Sequence, residues 1–593
     1  MQPSAAPSPK RGWPTVLAAL AVTVVVVASL LISARGRVAT TLGDTDDAMR
    51  LVMVRDLISG AQGWFSTHVA RMQPPLGLDM HWSRLVDGGI AAMDRAFGLV
   101  LPADQAEAVT RMAWPLVWTF PAIWAALALA RRLGGAPALL PAAAMLMINI
   151  LLYSQWWPGR IDHHDIQITM ALAAAAGAAF GGVCGGVLAG VATGFGLAVG
   201  IEVLPFAALA GASFALRFLL DPKAHARAAQ AYGGALAVAT SAFYVAQTSP
   251  ARLGASVCDA LGANLWAGVA AAGVGLLVAV RATQGRSLAA RLAALALAGA
   301  VAGAVYVGLD PACLHGPAGE VDPRIKPIWM DHVSEMQPLL GEFWKKRSNF
   351  VVCVLVSIAL AAISWLWLGA RKEGRTHAWL LAGAFMAMAA ALAFDAQRMA
   401  HYANWFATPL IAAALADIST RYLKGSIVPP VLAAALLGQP ALIALLDAIP
   451  GWDKPKSKGE AAADRCIESA ATRPLSRLPA GLVLGEIDLG PRILAQSPHA
   501  VVAAPYHRMS WGILAANHAL AAPPGEDERA ARALKADYVV TCPARIGQMN
   551  HAGLGRQSLQ VRLDHGETPP WLERLSDRSD PLQIYRIRPP APR

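Results

Sequence analysis

Charged residues are scarce in this chain, making up 15% of its 593 residues, while 55% are hydrophobic. The mean hydropathy of +0.43 is too high for a soluble globular protein. The apolar runs recur at lengths near the ~20 residues that a helix needs to cross a bilayer. These proportions exclude the soluble class and predict a polytopic membrane protein.

Cysteine is also rare: the chain has six, and no two of them form a Cys-x-x-Cys pair. This spacing argues against a zinc ribbon. Cys184 and Cys353 lie in or near apolar runs, where a small apolar side chain packs well. The other four lie in segments that the charge pattern, described below, places outside the cell, where two pairings are possible: Cys258–Cys313 and Cys466–Cys542.

Because backbone groups in lipid must be satisfied within their own segment, the apolar runs are expected to be helices. A hydropathy window gives about thirteen spans. Residues 166–220 are the hardest to divide, since Gly and Ala blur the helix ends. The spans are placed near 13–34, 110–130, 136–154, 166–182, 185–201, 203–220, 229–247, 262–280, 288–308, 350–370, 377–394, 400–418 and 427–447.

Basic residues fall on alternate connections, which the positive-inside rule places in the cytoplasm together with the N-terminus. The net charge of +11 is explained by these loops and by anionic lipid, so no nucleic acid is expected. The run Val16–Ile32 is longer than the ~7–15 residues of a signal-peptide core, so a retained first span is expected. The basic connections contain Lys10 and Arg11, Arg131 and Arg132, Lys223 and Arg227, Arg281 and Arg286, Arg371 to Arg375, and Arg421 and Lys424.

The remaining connections then face outward from an inner (plasma) membrane, and they include the loops 35–109 and 309–349. We therefore divide the chain into a membrane domain, 1–447, and an outward domain, 448–593. Short β-like runs alternate with helical ones in the second, which predicts a small soluble α/β domain. The predicted strands are 481–487, 500–504 and 538–541, and the predicted helices are 510–522 and 527–535.

Acidic residues collect where predicted spans meet the outward face. Asp44, Asp46 and Asp47 follow the first span, with Arg50 close behind. Closely spaced carboxylates suit a hard cation and arginines suit phosphate. A run of acids after a span is more often an ordinary solvated face or a helix start, so this signal is weak by itself.

A second cluster lies in a very short turn between two spans, Gly159 to Asp165. Its carboxylates, Asp162 and Asp165, and its imidazoles, His163 and His164, must sit at the membrane boundary, where ionisable groups are usually functional. Further along, Glu335 lies in the long outward loop, and Arg398 shares a tight outward turn with His401 and Tyr402. An arginine there can bind a diphosphate or extend to the membrane surface.

These four segments resemble, in the same order, the catalytic subunits of the oligosaccharyltransferases, membrane enzymes of the GT-C glycosyltransferase class. Asp44 with Arg50 resembles that family's D-x-x-x-x-x-R segment, and Gly159–His164 resembles its G-x-Y-D-x-[DE] motif. Val333–Pro338 resembles the S-V-S-E-H-Q-P loop, the most specific match. Arg398, followed by Tyr402, resembles the arginine that contacts the carrier diphosphate.

The resemblance implies a GT-C fold and metal-dependent, inverting transfer of a saccharide from a polyprenyl (di)phosphate carrier to a glycan, lipid or protein acceptor on the outer face. The metal, Mg²⁺ or Mn²⁺, would be held by Asp44, Asp162, His164 and Glu335. Asp46 or Asp47 would accept the acceptor's proton. Donor phosphate would be bound by Arg398, Arg50, Arg160, His401 and Tyr402.

The chain departs from the family in lacking its W-W-D-Y-G motif, which reads the acceptor sequon of asparagine-linked glycosylation. Transfer to asparagine is therefore not expected. A transferase that uses a single sugar on polyprenyl monophosphate is an alternative. A lipid-linked sugar flippase is disfavoured, because transporters place charges near mid-membrane in internally repeated helices and no repeat is visible here.

Overall fold

The computed structural model describes residues 13–317, 321–341, 348–449, 452, 458–544 and 554–590. Lys10 and Arg11, used above for orientation, lie outside the described residues. The long helices of the membrane domain are Trp13–Ser33, Ala103–Val117, Thr119–Gly134, Leu139–Ile148, His164–Phe180, Gly182–Val199, Leu204–Leu220, Pro222–Gln247, Ala263–Thr283, Leu288–Leu309, Asn349–Gly369, His377–Asp395, Ala400–Tyr422, Val428–Leu436 and Gln439–Asp447.

Every predicted span coincides with one or two of these helices. Within the described residues, eight helices are long and apolar enough to cross a membrane, or up to ten if each of two bent pairs is one span. One bent pair, Ala136–Ile148 and Ile150–Trp156, turns by 66° and leads into the short outward turn. Three further predicted spans correspond to helices that are not among these ten: His164–Phe180, Pro222–Gln247 and Ala400–Tyr422. The count of thirteen spans therefore stays a prediction.

Small residues allow the central helices to approach closely. A Cβ on Gly185 would lie 2.4 Å from the carbonyl oxygen of Gly177 on the preceding helix, and one on Gly233 would lie 2.5 Å from that of Gly273. In lipid, such backbone contacts replace the hydrophobic driving force that packs soluble helices. Helix Leu288–Leu309 has no fully buried residue, as expected for a helix at the edge of the bundle.

The basic connections contact one another and their neighbouring helices. Arg371 and Arg421 both bind Asp417, at 2.6 and 2.7 Å. Arg131 donates to the hydroxyl of Thr15 at 2.8 Å, which joins the first helix to the bundle. Asp417 thus joins the basic turns of Arg371 and Arg421, and Arg131 joins a third basic turn to the first helix.

The first outward loop forms a layer over the bundle. It contains the helices Arg37–Thr40, Thr45–Ser59 and Arg84–Phe97. Between the last two, strands β1 (His68–Val69) and β2 (Leu78–Asp79) form an antiparallel pair.

The C-terminal region is a small α/β unit, as predicted. Its strands are β3 (Leu482–Gly485), β4 (Ala500–Val501), β5 (Tyr538–Thr541), β6 (Leu572–Arg574) and β7 (Gln583–Ile587). They form one sheet in the order β4-β3-β5-β7-β6. Strand β3 is parallel to both β4 and β5, whereas β7 is antiparallel to both β5 and β6. Its helices are Lys458–Cys466, Arg473–Ser476, Gly490–Gln496, Ser510–Ala521, Glu526–Ala533 and Leu559–Asp564.

This sheet continues into the first outward loop. Met72 pairs with Val501 of β4 in a parallel bridge. The N–H of Gln73 donates to Val501 at 2.8 Å, and the N–H of Val501 donates to Arg71 at 2.9 Å. The C-terminal domain is therefore hydrogen-bonded to the membrane domain through its edge strand, and one hydrophobic core runs through both.

Both predicted cysteine pairings are confirmed as disulfides: Cys258–Cys313 and Cys466–Cys542. The first joins the loop after helix Pro222–Gln247 to the long loop that contains Glu335, across a separation of 55 residues. The second staples the C-terminal domain. Cys184 and Cys353 are free, as expected.

Replacing Cys258 and Cys313 by serine is expected to lower the free energy of unfolding by about 2–4 kcal/mol, because the unfolded chain gains the entropy that the cross-link removes. Denaturant unfolding in detergent micelles measures the change. Cys184→Ser, at an exposed free cysteine, is the matched control and is expected to leave stability unchanged. A double variant as stable as the wild type would contradict this account.

Candidate functional site

The acids of the first segment are organised by the start of helix Thr45–Ser59. Asp44 is its N-cap, and its Oδ1 accepts from the N–H groups of Asp46 and Asp47 at 3.0 Å. Asp47 returns the bond by accepting from the N–H of Asp44 at 3.0 Å. This reciprocal capping box fixes both carboxylates at a helix N-terminus, where the helix dipole favours negative charge.

The second segment docks onto the first through Asp47. Its Oδ1 accepts from the N–H groups of Ile161 and Asp162 at 2.7 and 3.1 Å. Arg160 then lies among three carboxylates: it contacts Asp44, and its nitrogens are 3.7 Å from Asp47 and 3.9 Å from Asp162. The first two predicted segments therefore meet, with a guanidinium between them.

Asp162 is buried, with a side chain only 3% exposed. One oxygen, Oδ1, contacts His163 and lies 3.9 Å from Arg50. The other, Oδ2, is 3.3 Å from His164 Nε2 and has no hydrogen-bond donor among the described residues. A buried carboxylate oxygen without a donor is costly unless a cation satisfies it.

A chain of charged groups leads from His164 to Arg398. Glu202 Oε2 lies 3.4 Å from His164 Nδ1, and Glu202 Oε1 lies 3.0 Å from Arg398 Nε. Glu202 therefore holds the arginine of the fourth segment beside the histidine of the second. Glu202 was not among the predicted site residues, although a lone acid in an apolar stretch near a membrane is itself a signal of function.

Glu335 of the third segment lies beside the same groups. Its 3₁₀ turn, Ser334–Met336, is held against the Arg398 turn because the N–H of Gln397 donates to the carbonyl of Gln337 at 2.9 Å. Glu335 is exposed toward the cavity, and partial desolvation by the surrounding protein raises the pKa of its carboxyl, a rise that the positive charges of His164 and Arg398 oppose. The long loop thus closes over the chain that runs from His164 to Arg398.

His164, Glu202, Glu335 and Arg398 all line one cavity of about 720 Å³. The membrane-side wall includes Asp44, Asp46, His164, Glu335 and Arg398. The outer wall is contributed by the first loop, by the loop before helix Ala263–Thr283 and by the C-terminal domain. It includes Asp79, His81, Asp259, His507 and Arg508.

The two predicted catalytic acids, Asp46 and Asp47, differ in their hydrogen bonding and in their access to the cavity. Asp46 lines the cavity, and burial together with the charges of Asp162 and Asp44 raises its pKa well above the usual range. Asp47 accepts three backbone hydrogen bonds, and burial and the charge of Asp44 raise its pKa to about 7. Asp47 therefore organises the two segments.

Three predicted phosphate-binding residues have other partners. Arg50 is fully buried, donates to Asp87 at 2.8 Å and stacks on Trp82 at 4.4 Å. His401 contacts Ser154 and Gln155 at 3.2 and 3.0 Å. Tyr402 is buried and stacks on Phe206 at 4.9 Å. None of the three is in the cavity wall, so Arg398 is the member of the predicted set that lies there.

The four predicted metal ligands offer carboxylate oxygens and an imidazole nitrogen, but among the described residues no three of them bring ligand atoms within 4.8 Å of one another. Asp44, His164 and Glu335 border one cavity, and Asp162 Oδ2 lacks a donor beside His164. Arg160 supplies positive charge among Asp44, Asp47 and Asp162 here, so a cation would have to compete with its guanidinium.

The resemblance noted in the sequence implies a lipid-linked donor. Replacing Glu202 by glutamine is expected to raise the KM for such a donor about tenfold or more, because Arg398 loses the charged partner that holds its guanidinium. Initial rates at varied donor concentration measure the change. Asp395→Asn is the control, since Asp395 is exposed on the same outward turn. An unchanged KM would show that Arg398 is positioned without Glu202.

Three solved structures from Archaeoglobus fulgidus are similar to the chain. Oligosaccharyltransferase AglB, in complex with an inhibitory peptide and a dolichol-phosphate, matches with a TM-score of 0.70 at 13% sequence identity. The match covers 96% of this chain and 80% of the AglB chain. An oligosaccharyltransferase with Zn and sulfate has a TM-score of 0.61 at 15% identity, covering 89% and 68%. One tethered to an acceptor peptide with the NVT sequon has 0.63 at 15%, covering 88% and 69%.

No protein-family model matches the chain, and no curated protein matches it. At identities of 13–15%, the structural likeness concerns the fold. The predicted architecture is confirmed: the chain has the oligosaccharyltransferase-like GT-C fold, a helical membrane domain followed by a C-terminal unit with a small sheet.

Proposed function

We propose that this protein is an integral-membrane glycosyltransferase that moves a sugar or oligosaccharide from a polyprenyl diphosphate carrier to an acceptor on the outer face of the inner membrane. One observation carries the proposal. Four segments that are far apart in sequence bring Asp44, His164, Glu335 and Arg398 to the membrane-side wall of one cavity. Arg398 can stabilise the negative charge that develops on a leaving diphosphate, and the carboxylates would do so by holding a metal ion.

The structural neighbours support the donor class. One was solved with a dolichol-phosphate, another with Zn and sulfate, and a third with a tethered acceptor peptide. We propose that the cavity formed by the same fold in this chain accommodates a lipid phosphate, a metal and an acceptor. The acceptor of this chain is proposed to differ, because its C-terminal domain lacks the W-W-D-Y-G motif.

A Mg²⁺ or Mn²⁺ ion would be held by Asp44, Asp162, His164 and Glu335. When bound, such an ion neutralises the charge that develops on the leaving phosphate. The support for this ligand set is that Asp162 Oδ2 and His164 Nε2 lie 3.3 Å apart, and that His164 borders the same cavity as Asp44 and Glu335. His164 stands where the family's motif has a second acid, and it would bind Mn²⁺ through a ring nitrogen that has lost its proton.

The chain's own residues bind and orient the donor. Arg398 binds the diphosphate and is held by Glu202 at 3.0 Å. The loop with Glu335 excludes water by closing against the Arg398 turn. With the diphosphate held at the membrane-side wall, the acceptor approaches from the outer wall, and attack from that face inverts the anomeric carbon.

The test supplies purified protein with labelled polyprenyl-diphosphate oligosaccharide or polyprenyl-monophosphate sugar, with and without chelator. We expect transfer from the diphosphate donor, loss of transfer on chelation and recovery with Mg²⁺ or Mn²⁺. Asp44→Asn and Glu335→Gln should both be inactive. Asp331→Asn, exposed in the same loop as Glu335, is the control.

The alternatives are separated by the same assay. Transfer from the monophosphate donor alone would favour the single-sugar transferase. Movement of labelled lipid across proteoliposomes without release of saccharide would favour a flippase. Activity that survives the chelator and both substitutions would refute the metal-dependent mechanism.

A further inference from the structure

A second constellation of titratable groups lies on the outer wall of the cavity. Asp259 follows Cys258 in the loop before helix Ala263–Thr283, and His507 and Arg508 begin a 3₁₀ turn of the C-terminal domain. His507 Nε2 lies 2.7 Å from Asp259 Oδ2. Arg508 donates to both oxygens of Asp259, at 2.7 and 2.5 Å.

This geometry selects one tautomer of His507. Because Asp259 is an acceptor, Nε2 of His507 carries the hydrogen that it donates, and Nδ1 is left with a free lone pair. Among the described residues, none forms a hydrogen bond with Nδ1. A histidine oriented by a carboxylate, with its other nitrogen free beside a cavity, is the arrangement of a general base.

The turn that carries His507 also touches the donor end of the cavity. The hydroxyl of Tyr506 donates to the carbonyl of Thr45, the residue that follows Asp44, at 3.2 Å. Tyr506 also packs edge-on against Trp82, with ring centroids 5.5 Å apart. His507 therefore lies where the C-terminal domain borders the cavity, next to Tyr506 and on the side from which an acceptor would approach.

The carboxylates near the donor are not placed to take the acceptor's proton from the far side of the sugar. Asp47 is hydrogen-bonded to three backbone N–H groups, and Asp46 lines the same wall of the cavity as Asp44. An acceptor hydroxyl still has to lose its proton as it attacks the anomeric carbon. That proton needs an acceptor on the opposite face of the sugar from the diphosphate.

We propose that His507 is the catalytic base of this transferase and that Asp259 is its positioning residue, an inference that rests on the proposed function. The acceptor oxygen forms the new bond to C1 as the bond from C1 to the diphosphate oxygen breaks. The hydroxyl proton passes to His507 Nδ1, and the electron pair of the broken bond leaves with the diphosphate. The acceptor class is therefore a hydroxyl compound.

The same residues could instead hold a metal, since ligand atoms of His81, Asp259 and His507 all lie within 4.8 Å of one another. Arg508 argues against this, because its guanidinium already neutralises both oxygens of Asp259. A second cation would be repelled at this distance. The constellation therefore fits a carboxylate-oriented base better than a metal site.

The test uses full-length protein, labelled polyprenyl-diphosphate saccharide, and water or azide as the attacking group. His507→Gln keeps a donor for Asp259 but removes the base. We expect its release of saccharide to water to fall about 10²- to 10⁴-fold. Azide carries no proton to remove, so it should restore turnover in this variant and give a glycosyl azide of inverted configuration.

Controls separate the base from the rest of the site. Asp44→Asn should not be rescued by azide, because it loses stabilisation of the leaving group. Asp259→Asn should lower kcat and leave the donor KM unchanged. His518→Ala, at a histidine whose side chain is 64% exposed in the same domain, should behave as wild type.

The assignment would be overturned if His507→Gln hydrolysed the donor at the wild-type rate, or if azide failed to restore turnover in that variant. It would also be overturned if Asp44→Asn bound one equivalent of Zn²⁺ and His507→Gln bound none, because the His507 cluster would then be a metal site. Failure of the proposed function looks different. In that case the wild type itself would neither bind the diphosphate donor nor release its saccharide.

Discussion

Asp162→Asn is expected to lower saccharide transfer by about 10²- to 10³-fold, the cost of removing one group that stabilises charge in the transition state. Asparagine keeps the size of the side chain and can still contact His163. It replaces a carboxylate oxygen that has no donor by an amide that cannot balance a cation. Burial makes the loss severe, since little water can compensate at a side chain only 3% exposed.

Asp165 provides a matched control three residues away. It is 1% exposed and lies in the first turn of helix His164–Phe180, where its Oδ1 accepts from the N–H of Ile166 at 2.7 Å. Its Oδ2, like that of Asp162, has no hydrogen-bond donor, but among the described residues no ion pair joins Asp165 to Arg160, His163 or His164 as it does Asp162. Asp165→Asn is expected to retain most of the transfer activity. Initial rates with labelled polyprenyl-diphosphate donor at saturating Mn²⁺ measure both variants. Equal losses would mean that burial of acid at this turn, and not the position of Asp162, matters.

The meeting of the segments was predictable because each acid follows or precedes an apolar run on the same face of the membrane. Positive-inside charge places Asp44, Asp162, Glu335 and Arg398 at one boundary, and their order along the chain resembles a known family. The two disulfides were predictable for the same reason: the charge pattern predicts one side of the membrane for all four cysteines, and the structure forms the two pairings considered.

Residues whose role depends on a tertiary partner could not be assigned in this way. Arg50 follows Asp44 at the family's spacing, which suggests phosphate binding, yet its partner is Asp87, 37 positions along the chain. Glu202 lies between the predicted spans 185–201 and 203–220, in the Gly- and Ala-rich stretch whose helix ends are hardest to place. The pairing of His507 with Asp259 joins two domains, and neither flanking sequence carries a sign of the other.

In the C-terminal domain, periodicity located the buried strands β3, β4 and β5 and the two helices between them. Strands β6 and β7 were missed. They are antiparallel, and each carries charged residues, Glu573 and Arg574 in one and Arg586 in the other. Such strands lack the continuous apolar run that marks a strand buried on both faces.

Asp87→Ala is expected to lower the free energy of unfolding by about 3–5 kcal/mol, because it leaves two buried guanidinium groups without their counter-ion. Asp87 accepts from Arg50 at 2.8 Å and from Arg84 at 2.9 Å, and all three side chains are at most 2% exposed. Asp104→Ala, at an exposed acid in the first turn of helix Ala103–Val117, should cost less than about 1 kcal/mol. Thermal and denaturant unfolding in micelles compare them.

The double variant Asp87→Ala with Arg50→Met distinguishes charge from packing. If the loss in Asp87→Ala comes from uncompensated positive charge, then removing one of the two charges should recover part of the stability, even though a second native side chain is gone. Methionine keeps the apolar contact with Trp82, on which Arg50 stacks at 4.4 Å. A double variant less stable than Asp87→Ala would mean that this cluster stabilises the first outward loop by packing rather than by charge balance.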